Sequence, residues 1–170
     1  PIEYDDAAEI PYRDYDYFKV SKEGKYGLIN KDNEVMIPFK WDYLETSYDH
    51  DLIYCGIEER YKMTEKERSK IFENFFGKEP KSGMLDSEKP WYDTKIRWGV
   101  FDREFNLIVK TELDEKPIKP EDYKTKNTLG LLNPKYYLLK RKGKYGVLSK
   151  DGRLISSTEL TKKQAISLIN

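Results

Sequence analysis

Two residue types that do much of protein chemistry are nearly missing. The 170-residue chain has one histidine, His50, and one cysteine, Cys55. A lone cysteine rules out an internal disulfide and fits a reducing compartment, so a cytoplasmic location is expected. One Cys and one His do not complete a four-ligand structural zinc site without carboxylates, and neither a metal nor another cofactor is expected. There is no Gly-x-Gly-x-x-Gly, no phosphate-binding loop and no Gly-x-Ser-x-Gly. No apolar run nears the roughly 20 residues of a membrane-spanning helix, and no basic-then-apolar start resembles a signal peptide. The chain opens on Pro1, which is compatible with a lost leader, so export stays open. Net charge is zero and the isoelectric point is about 7.1, which argues against direct nucleic-acid binding.

What the chain has is charge and rings. Charged residues make up 36% and aromatic residues 14%, and the rings supply apolar area that a disordered chain lacks. The length suits a single domain over residues 1–170. Its charge is unevenly placed: residues 1–59 hold 15 acidic and 6 basic side chains, and 60–170 hold 16 and 25. Eight of the 14 tyrosines fall in the acidic part.

One frame occurs three times without a gap. It runs from Lys25-Tyr26-Gly27-Leu28-Ile29-Asn30 to Ile37, from Arg97-Trp98-Gly99-Val100-Phe101-Asp102 to Val109, and from Lys144-Tyr145-Gly146-Val147-Leu148-Ser149 to Ile155. Alternating apolar residues around turn signals predict a strand, a tight turn and a return strand, with Asp151-Gly152 as a two-residue hairpin turn. A preceding strand over Phe18-Lys19-Val20, turned by Lys22-Glu23-Gly24-Lys25, makes each unit a three-stranded meander. Pro38 is expected to end the third strand at Ile37, because proline lacks a ladder donor. Tyr26, Leu28 and Asn30 share one face of the central strand and Gly27 and Ile29 the other. A glycine inside a strand needs a packing reason, and the expected one is a ring from a neighbouring strand or repeat filling its notch.

Aromatic-Gly, an apolar pair, a polar turn, aliphatics and then Pro-x-x-aromatic-Asp resembles the WG-repeat (KWG-repeat) family of bacterial proteins. Gly24 to Asp32 and Gly143 to Gly152 carry most of the likeness, and Trp98-Gly99 supplies the dipeptide itself. The resemblance spans about 10–44, 96–114 and 136–160, with the glycines 72 and then 47 residues apart. It implies repeat-built β structure and binding, and it brings no catalytic residues. The expected fold is mainly β (α+β), with antiparallel three-stranded meanders, an inserted helix and a C-terminal helix.

The insertion is placed over 60–95. Thr64-Glu65-Lys66-Glu67 is a capping box, Gly77 a left-handed stop, and Ile71, Phe72, Phe75 and Phe76 form a stripe expected to face a core. Residues 78–94 and 115–134 read as loops. Thr161-Lys162-Lys163-Gln164 opens the closing helix, with Ala165, Leu168 and Ile169 as its apolar face.

For function, the acidic, tyrosine-rich part is the leading candidate surface. Tyr12, Asp14, Tyr15, Asp16, Asp42, Tyr43, Tyr48, Asp49 and Asp51 suit a protein partner, because tyrosine gives contact area at small entropic cost and aspartate speeds encounter with a basic partner. The expectation is a non-enzymatic protein-binding module. Its specific form is a bacterial immunity protein that caps a basic toxin or nuclease domain. A structural or envelope-associated repeat module is the alternative. A hydrolase using Cys55 with His50, or a carboxylate pair, comes third. The basic run Lys140-Arg141-Lys142-Gly143-Lys144 lies at a hairpin turn, where solvated charge is ordinary.

Overall fold

A computed structural model describes residues 4–9, 16–47, 52–77, 91–117 and 135–169. Strands β1 (Asp6–Glu9), β2 (Tyr17–Lys22), β3 (Lys25–Asn30) and β4 (Val35–Trp41) form the first sheet, in that order. The second orders β5 (Tyr43–Thr46), β6 (Ile53–Lys62), β7 (Tyr92–Phe101) and β8 (Leu107–Leu113). In the third, β10 (Lys144–Ser149) lies between β9 (Tyr136–Arg141) and β11 (Leu154–Leu160). Helix α1 (Glu65–Phe76) lies in the chain between β6 and β7, and α2 (Lys162–Ser167) follows β11. The protein is thus mainly β, with three antiparallel meanders and two helices. Residues 1–57 with 96–170 make one compact unit and 58–95 another.

The three meanders share one irregular register. Tyr26 pairs with Trp41 and Leu28 with Ile37, so Gly27 alone faces the three residues Pro38-Phe39-Lys40. Gly99 faces Lys110-Thr111-Glu112 and Gly146 faces Ser157-Thr158-Glu159 in the same way. One step further on, Met36, Ile108 and Ile155 are each a single extra residue in the third strand. Bulges of this kind bend a strand and re-aim its side chains.

This register corrects two expectations. The glycine notch is filled chiefly by bulged backbone: a Cβ there would lie 2.8 Å from the Ile37 carbonyl oxygen, 2.7 Å from that of Val109 and 2.7 Å from that of Ser156. A ring enters in the first copy, where Phe39 Cδ1 would be 2.8 Å away. Pro38 does not end pairing. Strand β4 runs through it to Trp41, because inside the bulge proline's missing donor costs nothing.

The sheets stack in chain order. Leu28, Ile37 and Trp41 of the first pack with Ile53, Cys55 and Phe101 of the second. Trp98, Val100 and Leu113 of the second pack with Tyr137, Leu139 and Leu148 of the third. Leu138 and Val147 of the third pack against Ala165 and Ile169, which closes the stack with α2. Each central strand therefore turns its aromatic-and-aliphatic face (Tyr26 and Leu28, Trp98 and Val100, Tyr145 and Val147) toward the next layer. In the second and third sheets the glycine face, with Phe101 and Leu148, turns back toward the preceding layer. Burying aliphatic and aromatic side chains stabilises by about 1.5–3 kcal/mol each, and it is the layering, not any single meander, that supplies the burial.

Both helices begin as expected. Thr64 and Thr161 accept from Glu67 and Gln164, whose side chains answer the threonine N–H groups, and Gly77 ends α1 at φ 65°. The apolar stripe of α1 does not face a core, however. None of its residues is buried, and Phe75 and Phe76 are exposed. The unit of residues 58–95 is too short to build a core of its own, and Phe72 and Phe76 instead pair their rings at 4.5 Å. In the C-terminal helical segment Ala165 and Ile169 are buried, whereas Leu168 is exposed.

Candidate functional site

The second turn of each meander is built alike. Instead of a two-residue Asp-Gly turn, three residues bridge the strands, with a single left-handed residue at the third: Asn33 (φ 64°), Phe105 (φ 64°) or Gly152 (φ 85°). The closing bonds repeat as well, from Asn30 N–H to the Glu34 carbonyl (3.0 Å), Asp102 to Asn106 (3.0 Å) and Ser149 to Arg153 (2.9 Å). The residue ending the central strand braces the loop with its side chain. Asn30 Oδ1 accepts from Asp32 (3.0 Å) and Glu34 (2.8 Å), Asp102 Oδ1 from Glu104 (3.0 Å) and Asn106 (2.8 Å), and Ser149 Oγ from Arg153 (2.9 Å). Such Asx-type bracing gives a rigid tip. Every tip begins with a cation and then an acid: Lys31-Asp32, Arg103-Glu104, Lys150-Asp151.

Beneath each tip the forward face of the sheet forms a socket, and in the first two sheets the next tip docks into it. In the first sheet Tyr17, paired with Asn30, meets the ring of Phe105 edge-on at 5.1 Å, and Met36 packs against the same cluster. In the second, Gly152 sits over Asp102 and Ile108, where an added Cβ would lie 3.1 Å from Asp102 Cβ and 3.5 Å from Ile108 Cδ1. In the third, the matching residues Tyr136, Ser149 and Ile155 line an open cavity of about 490 Å³. Ile155 is 44% exposed there, and α2 packs on Leu138 and Val147 of the same face.

The rim of this cavity is basic. Among the described residues Arg103, Lys135, Lys150 and Arg153 line it, with one carboxylate, Asp151. The Ser149 hydroxyl donates to Asp151 and holds its carboxyl below the usual range, so that acid stays ionised at neutral pH. In the first sheet the residue corresponding to Lys135 is Asp16: its carbonyl accepts from Lys31 N–H at 3.1 Å, as that of Lys135 does from Lys150 at 2.7 Å. Asp16 pairs with Lys31 at 3.6 Å. One socket is thus filled by a ring, and at another the matching residues line a cavity.

Of the residues singled out in sequence, Asp16, Asp42 and Tyr43 are described. Tyr12, Asp14, Tyr15, Tyr48, Asp49, Asp51 and His50 lie outside the described residues. Asp42 accepts from the Lys25 ammonium and is mostly covered, and Tyr43 tilts against Trp98 at 5.8 Å, half-buried between the second and third sheets. The structure does not bring Asp16 and Asp42 together. They engage lysines at opposite ends of β3, on the order of 20 Å apart at about 3.3 Å per residue. In the basic run, Lys140 pairs with Glu115 (2.6 Å) and Arg141 with Glu112 (2.7 Å). The cations that converge are the ones sequence reading missed, being spread over 50 residues. Aligning the three tips would have found Arg103 and Lys150; setting Lys135 opposite Asp16 needs the sheet register.

Cys55 occupies the place of Val20 and Leu139, which face Gly27 and Gly146 across their hairpins. It is fully buried, and burial pushes its thiol up to about 12, against a smaller opposing effect of the Gly99 backbone. A thiol held protonated in this way is a packing group rather than a nucleophile. Among the described residues there is no group of three or more His, Cys, Asp or Glu side chains placed to hold a metal ion. No helix among them is long and apolar enough to cross a membrane.

No curated protein and no solved structure matches the chain. The family model for the WG containing repeat matches residues 26–53, a span that begins on β3, passes through β4 and β5 and ends where β6 begins. The family's unit therefore crosses from one layer to the next, whereas the meander stays within one. Residues 26–53 are a WG-type repeat, and the meanders around Gly99 and Gly146 reproduce its bulged register.

Proposed function

We propose that the chain is a non-enzymatic protein-binding module. The observation that carries this reading is the row of braced turn tips on a layered core: the parts that repeat are structural, and the side chains that differ between copies sit at the tips and sockets. The buried, protonated Cys55 also favours it over thiol chemistry. A narrower form makes the chain a bacterial immunity protein that neutralises a basic toxin or nuclease domain through its acidic, tyrosine-rich part. The excess of 15 acidic over 6 basic side chains in residues 1–59 supports that form.

The test is the association rate of the chain with a partner captured from its host, measured by stopped flow over rising salt. The immunity form expects the rate to fall steeply with salt, and Asp14→Lys/Asp16→Lys to slow it by on the order of tenfold. A salt-independent rate with an unchanged double variant would remove the narrower form. Failure to capture any protein partner under native conditions would remove the broader one.

A further inference from the structure

We propose that the groove between the edge strands β8 and β11 is a docking site for one aromatic side chain of a partner protein. The proposal rests on the protein-binding reading and supplies a site for it. A cavity of about 170 Å³ lies there, lined by Ile108, Val109 and Leu113 of β8, Leu139 and Arg141 of β9, and Leu154 of β11. Its first support is internal precedent. Tyr26 pairs with Trp41 as Trp98 does with Leu113, and Leu28 with Ile37 as Val100 does with Val109. Cys55 meets Gly99 as Leu139 meets Gly146, so Ile57, two residues on, corresponds to Arg141. Between the first and second sheets, Ile37, Trp41 and Cys55 are buried together, and Met36 and Ile57 pack against them. The indole of Trp41 fills that place, edge-on to Phe101 at 5.5 Å. Between the second and third, a leucine stands for the tryptophan and a partly exposed arginine for the isoleucine. The cavity is the room that these two exchanges leave.

The second support is size. Sites that enclose a whole small molecule measure roughly 300–1,000 Å³, so this smaller groove suits a single group carried by something larger. Its walls of Val109, Leu113 and Leu139 reward a group that gains by leaving water. A flat ring fits better than a branched aliphatic, because the same backbone frame already seats one a layer earlier. Arg141, held by Glu112 at 2.7 Å, brings a cation to the rim, where it can cover a ring face as Lys40 covers Trp41 at 4.7 Å. A second copy of the chain, offering the exposed Phe75 or Phe76 of α1, is the weaker occupant. Phe76 is already paired with Phe72, and a ring-into-groove contact between identical chains does not close on itself but builds open filaments.

The probe is the end-capped tripeptide Gly-Trp-Gly, titrated into the full isotopically labelled chain and followed by amide chemical shifts. Controls are Gly-Leu-Gly and Gly-Ala-Gly. The expected result is saturable shifts at Val109, Leu113, Leu139 and Arg141, with a Kd on the order of 1 mM, as suits one side chain, and each control on the order of tenfold weaker. Leu113→Trp lets the chain supply the ring itself, so it should abolish the shifts while Tm stays at or above that of the parent. Leu154→Lys, at an exposed position on the rim, should weaken binding about fivefold and leave the remaining spectrum in place, which separates loss of the site from loss of the fold. Shifts mapping elsewhere, no saturation, or equal binding of either control would overturn the proposal. A Leu113→Trp chain that keeps the shifts, or that is less stable than the parent, would do the same. So would self-assembly in sedimentation that Phe75→Ala abolishes, because the groove would then belong to a second copy. A host partner held equally by the chain and by Leu113→Trp would overturn this site while leaving the protein-binding reading standing.

Discussion

The sockets of the first and third sheets are built from the same strand positions and differ in what surrounds them. In the first, an acid stands at the rim and the neighbouring tip brings a phenylalanine, so the socket is closed by the protein itself. In the third, a lysine takes the acid's place, no further tip follows among the described residues, and α2 covers other residues of that face. A repeat scaffold thus makes an interior contact and a candidate binding site from one set of backbone geometries. What differs is the residue at the rim, Asp16 or Lys135, and whether a neighbouring tip is seated there.

The comparison depends on the shared bulge, and the largest expected effect comes from breaking it. Gly99→Val puts a Cβ 2.7 Å from the Val109 carbonyl and 3.1 Å from the Thr111 nitrogen, atoms of the backbone that do not yield as a side-chain end does. The cost is expected at about 3 kcal/mol, the upper part of the overpacking range. In thermal unfolding that lowers Tm by roughly 6–12 °C for a domain of this size. A Tm within a degree of the parent would mean that the bulge is not what requires the glycine.

Much of the strand and helix pattern was legible in the chain. Three in-frame copies fixed the central strands, the capping boxes fixed both helix starts, and the alternation of Tyr26, Leu28 and Asn30 against Gly27 and Ile29 told which residues share a face. What was not legible came from register. A proline inside β4 reads as a stop unless the bulge that tolerates it is known, and Asp151-Gly152 reads as a two-residue turn although one left-handed residue suffices. The apolar stripe of α1 has the spacing of a buried face, yet none of its residues is buried among the described residues. The cavity was hidden for a related reason. Arg103, Lys135 and Arg153 have no common motif, and only the docking of one tip beneath another reveals the place where they converge.

A second test sharpens the comparison by opening the closed socket. Phe105→Gly removes the ring that packs on Tyr17 but relaxes a left-handed backbone that phenylalanine adopts at a cost. Losing a half-buried ring costs about 2 kcal/mol and relieving the strain returns about 1, so a net loss near 1 kcal/mol is expected. Denaturant titration resolves that difference. A loss of 3 kcal/mol or more would show the ring to be a keystone between layers instead of a filler of one socket.

The smallest change in stability carries the sharpest comparison. Asp16→Lys removes an exposed ion pair and gives the first socket the rim of the third, and surface pairs of this kind contribute about 0.5 kcal/mol or less. Denaturation should therefore barely change. A loss of about 2 kcal/mol or more would show that the Asp16–Lys31 pair, and not the seated ring of Phe105, holds the first socket together.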